Sequence, residues 1–384
     1  MSGHKKKTMD TIKKIKLRNA LRNNLGAKAA AVVVAVAVGV AGFSLIHSKA
    51  SGFFVAVETE SGGLSGNAQL VSDASASGGK AVQFNAPVTQ PTPPPTTPPS
   101  SRPDPFPASL KPDATNTGLL DSSKLVVVNG DQTFGTTYNG QTISNKDFHG
   151  YVKVSGSNIT FTNCIFRGGT PTQNVALLDA ENEDKNDVKH PATNLTVEDS
   201  TFLPTVHNAM VDGMWAENTT VLRVNMSGTT DTIKASNNTT IRDSYLHDLQ
   251  WYAVDPNTSD GTHNDNVQIL DGTNIRVIHN TMNPNTGNAN SSVQITQDFG
   301  TTGTVLLDSN WADWGACTFG ISQKRNSDLS GTLTGVSVTN NRFGRHMEYT
   351  GCAILIGTRV TLAANSGNVW DDNGQPVPPP QQHD

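Results

Sequence analysis

The stretch from Asp260 to Met282, DGTHNDNVQILDGTNIRVIHNTM, contains two short apolar alternations around a tight polar turn. Val267-Gln268-Ile269 and Ile275-Arg276-Val277 each read apolar-x-apolar, with Asp271-Gly272-Thr273-Asn274 between them. His279, Asn280 and then apolar Met282 follow the second alternation. Alternation with a period of two is the signature of a strand with one buried face. Asp, Gly and Asn supply the backbone angles that tight turns need.

The same grammar recurs. Asn158-Ile159-Thr160-Phe161 leads to Phe166, and Asn194-Leu195-Thr196-Val197 to Phe202. Asn218 and Val221 lead to Met226, and Asn238 and Ile241 to Leu246. Gly303 and Leu306 lead to Trp311, and Gly335, Val336 and Val338 to Phe343; Arg359 opens a copy with Val360 and Leu362 but no aromatic. Further pairs precede several turns: Val152/Val154, Val293/Ile295, Phe319/Ile321 and Ile354/Ile356. The shortest spacings between copies are 20 and 24 residues, one coil of a β-solenoid. No coil can bury its apolar face alone, so neighbouring coils stack in register. A β-sandwich would instead show paired strands and hairpin turns. Asn163, Asp199, Asp243, Asp308 and Asn340 are expected at bends, and His279 shares that position as a structural residue. Trp311 is expected in the core beside Phe166 and Phe343.

Composition agrees. Charged residues make up 16% of the 384, there are 34 glycines, and mean hydropathy is -0.37. Few charges with many turn residues fit an all-β chain. A net charge of -5 argues against a nucleic-acid binder.

The organisation read from the chain has six parts. Residues 1–28 are a basic cytoplasmic segment. Residues 29–47 form a transmembrane signal-anchor, in which Ala29–Ile46 runs without a charge and spans roughly 27 Å as a helix. A cleaved signal peptide is the alternative. Basic residues before the segment place the remainder outside, at the cell membrane or secreted if cleavage occurs. Residues 48–86 look like the truncated opening of a carbohydrate-binding module, 87–107 are a Pro/Thr-rich spacer, 108–375 the β-helix, and 376–384 a disordered tail.

From about Asp113 to Val377 the chain resembles secreted bacterial right-handed parallel β-helix proteins of the pectate-lyase-like superfamily. The resemblance rests on Thr115-Asn116-Thr117-Gly118, Gly150-Tyr151-Val152-Lys153-Val154, and His263-x-Asp265-x-x-Gln268 followed by Asp271-Gly272-Thr273-Asn274. It extends to Asn340-Asn341-Arg342-Phe343-Gly344-Arg345 and Ser366-Gly367-Asn368-Val369-Trp370-Asp371-Asp372. It implies export, a right-handed parallel β-helix and a polysaccharide ligand. An Asp-Asp pair with Gly-His-Gly, and a basic Arg-x-x-x-x-x-Pro segment, are missing from it, and fold alone does not name a reaction.

In such solenoids the glycan lies in a groove along one outer sheet, here the sheet holding Val267, Val293 and Phe319, with Gln268, Gln294 and Gly320 facing outward. Loops would bring His207, Asp212, Asp231, His263, Asp265, His346 and Glu348 to it. His263, Asp265, Asp231 and Lys234 are the candidate catalytic residues, because an imidazole beside a carboxylate suits general acid or base work. Elimination needs a base and a cation to neutralise a uronate; hydrolysis needs two carboxyls. Gln268 can both donate to and accept from sugar hydroxyls. Trp251, Tyr252 and Trp314 are candidate stacking platforms. The same polar groups could instead brace a sharp bend. Asp- and Asn-rich loops allow Ca2+, although no calcium-loop motif is present. Two functions stay open: a lyase or hydrolase acting on an acidic polysaccharide, and a non-catalytic surface glycan binder or adhesin.

Cys317 and Cys352 each lie four residues before an inward isoleucine, Ile321 and Ile356, of consecutive coils. Residues i and i+4 of a strand share a face, and stacked strands lie about 4.8 Å apart, within the reach of a disulfide. Two reduced core cysteines are the alternative. Cys164 is expected to stay a free, buried thiol.

Overall fold

The computed structural model describes residues 68–72, 80–84, 102–183, 188–256 and 258–383. The basic segment, the signal-anchor, most of the module-like stretch and the start of the spacer lie outside these. Among the described residues no helix is long and apolar enough to cross a membrane. The chain divides into two units, Met1–Pro93 and Pro94–Asp384. In the first, Ala68–Ser72 pairs antiparallel with Lys80–Phe84.

The second unit is an all-β solenoid of three parallel sheets. The first sheet has ten strands, running from Gln132–Phe134 through Val211–Ala216, Ile233–Ala235, Asn264–Ile269 and Ala289–Ile295 to Gln381–Gln382. The second has nine, from Thr142–Ser144 to Ala364–Ser366, and the third ten, from Val126–Asn129 to Val369–Trp370. The chain visits the sheets in the same order on every turn.

Strict alternation explains the core. On the first sheet Val152, Leu178, Met214, Ile233, Val267, Val293, Phe319 and Ile354 stand in one register column, all buried. The residue after each faces outward. On the third sheet Phe148, Phe166 and Phe202 stack ring on ring, 5.3 and 4.5 Å apart. The bend before the third sheet is left-handed at Asn163, Asp199, Arg223, Asp243, His279, Ser309 and Asn340. His279 is structural, as expected: its Nδ1 lies 2.6 Å from Asp243.

The residue after that bend points inward and builds a buried polar ladder. The amide nitrogens of Asn280, Asn310 and Asn341 donate to the side-chain oxygens of Asn310, Asn341 and Asn368 at 2.9–3.0 Å. The side-chain nitrogens donate to the carbonyls of Ile241, Val277, Leu307 and Val338. Ser200 and Ser244 extend the ladder toward the N-terminal coils.

The structure corrects several expectations. The bend falls at Ser309, not Asp308, and Ala312, not Trp311, takes the core position between Met282 and Phe343. Trp311 is half-buried on the outer face, with the Lys111 ammonium 5.9 Å from its ring. In the last coil Val360 pairs with Leu333 in an extra ladder, while Ala364–Ser366 joins the second sheet and Trp370 lies opposite Phe343. The expected disordered tail supplies a strand, because Gln381–Gln382 pairs with Leu355 and Ile356 at the open edge of the first sheet.

The last residues of the expected spacer are also ordered. Arg102 bonds Asp199, the Phe106 amide bonds Asp243, and the amides of Leu120 and Asp121 bond Asn163. This segment straps the column of left-handed bends and buries their free polar groups.

Cys317 and Cys352 form a disulfide with Cα atoms 5.0 Å apart, and Cys164 is free and buried. Burial pushes its thiol up to about 11, against hydrogen bonds that lower it. Thiol titration of the full chain should find no reactive thiol in the native protein, one after denaturation and three after reduction. A second thiol in the denatured, unreduced protein would exclude the bridge.

Replacing Asn310 by Ala orphans the buried Asn280 amide and removes a side-chain donor from the Val277 carbonyl, which keeps its ladder partner. At about 1–3 kcal/mol for a buried unsatisfied group, the loss should be on the order of 2 kcal/mol or more. Asn274→Ala, in the exposed left-handed turn before the second sheet, should cost only about 1 kcal/mol. Denaturant unfolding of both variants measures the difference, and equal losses would contradict a special role for the buried ladder.

Candidate functional site

The outward column of the first sheet reads Lys153, Asp179, Trp215, Lys234, Gln268, Gln294 and Gly320, each in register with the next. Stacking every coil on the last thus brings residues from successive coils into one row. Gln268, Gln294 and Gly320 face outward on this sheet.

Two cavities, about 290 and 250 Å³, open over the row and share Asn174, Lys234, Gln268, Leu270 and Phe299. They form one trough. Phe299 stands on it with 71% of its surface exposed.

Lys234 is the centre of the trough. Its Nζ lies 2.6 Å from Asp212 and 3.3 Å from Asp231. Asp212 also accepts from Trp215 Nε1 and Thr230 Oγ1, both at 2.8 Å. Asp231 accepts from the Asp265 amide at 2.8 Å. Asp265 is wholly buried and accepts from Gln268 at 3.2 Å and Asn290 at 3.3 Å. The pairing shifts register beside Asn264 and Asp265, leaving Asn290 as the extra residue of the neighbouring strand. Such bulges re-aim side chains, and this one lends Asn290 to Asp265.

Burial acts on all three carboxyls, with different outcomes. It raises Asp212, but the Lys234 ammonium and the hydrogen bonds from Lys234, Trp215 and Thr230 outweigh it and hold the group below the ordinary range. Burial drives Asp231 up to about 7; Lys234 opposes this and the Asp212 charge adds to it. Asp265 rises well above the ordinary value through burial and the Asp231 charge. Lys234 is stabilised as an ammonium because its two carboxylates outweigh its burial. Across the trough, burial raises Glu181 to about 7 against the pull of Lys189, 3.1 Å away.

Asp231, Lys234, Asp265 and Gln268 lie together, and Asp212 joins them. Two details differ. Asp265 lies beneath the groove rather than in it, because the bulge turns it into the coil. His263 does not meet Asp265; it stands exposed on the rim, 3.3 Å from Asp260.

The other candidates lie apart. Trp251 and Tyr252 sit in the preceding loop, with the Trp251 ring packed on Gly261, and do not line the trough. His207 contacts the Gly228 carbonyl at 3.0 Å. Trp314 stacks on His346 at 4.9 Å, and His346 bonds Asp313 at 2.6 Å. Glu348 is exposed nearby and bonds through its backbone to Gly315. Gln294 lies in the row, 3.2 Å from Ser291.

Sequence reading passed over Trp215, Phe299, Glu181 and Lys189. Trp215 could have been found as the outward residue between inward Met214 and Ala216. Phe299 lies in an irregular loop whose pattern carries no such signal.

Among the described residues no group of three or more His, Cys, Asp or Glu is arranged to hold a metal. Asp212 and Asp231, the carboxylates best placed for Ca2+, already flank the Lys234 ammonium, so these residues do not fit that ion.

By sequence the chain matches no protein-family model and no curated protein. Solved structures give partial likenesses. A mannuronic-acid-specific polysaccharide family 6 lyase from human gut microbiota is 10% identical with a TM-score of 0.33, over 65% of this chain and 62% of that one. A family 6 alginate lyase complexed with a trisaccharide is 12% identical with a TM-score of 0.32, over 70% and 58%. QnrB1, a plasmid-mediated fluoroquinolone resistance protein, is 9% identical with a TM-score of 0.22, over 64% and 89%. The chain thus spans about six tenths of the length of the two lyases.

Because the folded pKa of Asp231 is raised, the native state holds a proton there that the unfolded chain has released. Its stabilising contribution is full below about pH 4 and is lost as pH rises through about 7. Asp231→Asn removes this penalty while keeping an oxygen acceptor. The stability of Asp231→Asn relative to the parent should therefore be greater at pH 8 than at pH 5, measured by urea unfolding. A difference independent of pH would show that Asp231 titrates normally.

Proposed function

We propose that the chain is an extracytoplasmic, membrane-anchored right-handed β-helix protein that binds a polysaccharide along the first-sheet trough and cleaves it there. The basic segment before Ala29–Ile46 supports the location, and the Cys317–Cys352 bridge suits an oxidising compartment. The observation that carries the chemistry is the placing of Asp212 and Asp231 on either side of Lys234 in an open trough, where the ammonium holds Asp212 low and burial raises Asp231. Groups pushed apart in this way divide acid and base roles between them.

Hydrolysis fits better than elimination. Elimination from a uronate needs a cation to neutralise the sugar carboxylate, and Lys234 already lies between two protein carboxylates. In hydrolysis, protonated Asp231 gives its proton to the glycosidic oxygen as the bond to the anomeric carbon breaks. Ionised Asp212, held by Lys234, balances the positive charge that develops there. Water adds to the anomeric carbon and returns a proton to Asp231. Gln268 and Gln294 bind hydroxyls, while the faces of Trp215 and Phe299 take the apolar sides of the rings.

A second reading, a non-catalytic surface glycan binder, is favoured by one observation: Asp212 and Asp231 already accept bonds from protein donors through both oxygens. Release of reducing ends from a polysaccharide panel separates the two. Under the catalytic reading Asp231→Ala lowers the rate about 100-fold or more, the range of lost acid catalysis, while His263→Ala stays within a few-fold. Binding without release of reducing ends by the parent protein would establish the second reading.

A further inference from the structure

The trough's charge indicates which glycans it accepts, an inference that rests on the glycan-binding reading above. Six carboxyl residues line the two cavities: Glu181, Glu183 and Asp271 on one side, Asp212, Asp231 and Asp255 on the other. Among the described residues, two lysines oppose them, and both are engaged. Lys189 lies 3.1 Å from Glu181, and Lys234 lies between Asp212 and Asp231. Lys153, further along the row, lies 3.6 Å from Asp179. Even with one proton each on Glu181 and Asp231, four negative groups face two positive ones. The remaining outward row is uncharged, Gln268, Gln294 and Gly320.

A polymer with one carboxylate on every sugar would bring like charge into this partly enclosed space, where water screens poorly. A polymer carrying amines would find acceptors already in place. Like-charge juxtaposition across a binding surface rejects wrong partners. We propose that the trough selects glycans by charge, in the order amine-bearing, then neutral, then carboxylated, and that uronate polymers are excluded from it.

The test is calorimetric titration of the full-length chain with three panels of oligosaccharides: glucosamine and galactosamine oligomers; neutral glucan, mannan and galactan oligomers; and polygalacturonate and alginate oligomers. In low salt the best amine-bearing ligand should bind at least about tenfold more tightly than the best carboxylated one. The gap should narrow in 1 M salt, where the Debye length falls to about 3 Å. Phe299→Ala, at an exposed position, should weaken the bound class, tying the signal to the trough. Any other order among the panels, or binding unchanged by Phe299→Ala, overturns the charge selection and leaves glycan binding standing. Failure of all three panels to bind would instead remove the glycan-binding reading itself.

Discussion

Each coil turns from the second sheet into the third within one or two residues, and the residue after the bend is buried. The amides and carbonyls there cannot reach water, and a buried polar group left unpaired costs about 1–3 kcal/mol. The Asn280–Asn310–Asn341–Asn368 ladder meets this constraint by repetition. Each side chain accepts from the amide of the coil before it and donates to a carbonyl, so a single residue type satisfies donors and acceptors together. The ladder works only if coils keep the same register, and that register aligns the outward row of the first sheet. The geometry of the trough is thus inherited from a polar turn on another side of the solenoid.

The strap from Arg102 to Asp121 belongs to the same problem. The bends beside the ladder are left-handed, and Arg223 is a poor residue for that conformation. It is held by Asp199 at 2.8 and 3.0 Å and Glu198 at 3.1 Å, while the Gly118 amide takes its carbonyl. Ion pairs and strap together over-determine the bend. Residues 102–107, which read as spacer, are therefore part of the folded unit, and their proline-rich composition concealed this because their contacts are made by a backbone amide and by the isolated side chains of Arg102, Asp104 and Phe106.

The inward residues of the strands were legible because period-two alternation is produced by a half-buried strand and by little else. The Asn bends were legible because Asn tolerates a left-handed backbone. The coil from Gly303 to Trp311 misleads for a specific reason. Adjacent Leu306 and Leu307 make two registers equally apolar, so reading Leu306 as inward also places the bend at Asp308 and Trp311 in the core. Structure shifts all three by one residue, to Leu307, Ser309 and Ala312. A one-residue slip exchanges the faces of a strand, so these are one error rather than three. In the last coil Asn365 faces no further coil and can be polar, which hid the true strand. The site was half legible for a related reason. Lys234 and Gln268 sit in regular strands, whereas the burial of Asp265 depends on the bulge and the position of Phe299 on an irregular loop.

Stacking also limits what an outward row can carry. Neighbours in a column stand about 4.8 Å apart, so equal charges cannot follow one another without repulsion. The row obeys this by pairing opposite signs on its early coils, Lys153 with Asp179, and by changing to uncharged Trp, Gln and Gly around and beyond Lys234. Lys234 is the one cation in its stretch of the row; Asp212 reaches it from the start of the strand Val211–Ala216 and Asp231 from the turn that enters the next strand, neither from the row itself. An ammonium there with no carboxylate would be too costly to bury, and so would two carboxylates with no ammonium. The same arrangement that lets the cluster be buried sets its carboxyl pKa values apart. The chemical asymmetry of the trough thus follows from the electrostatics of stacking, applied at the point where a charged column becomes a neutral one.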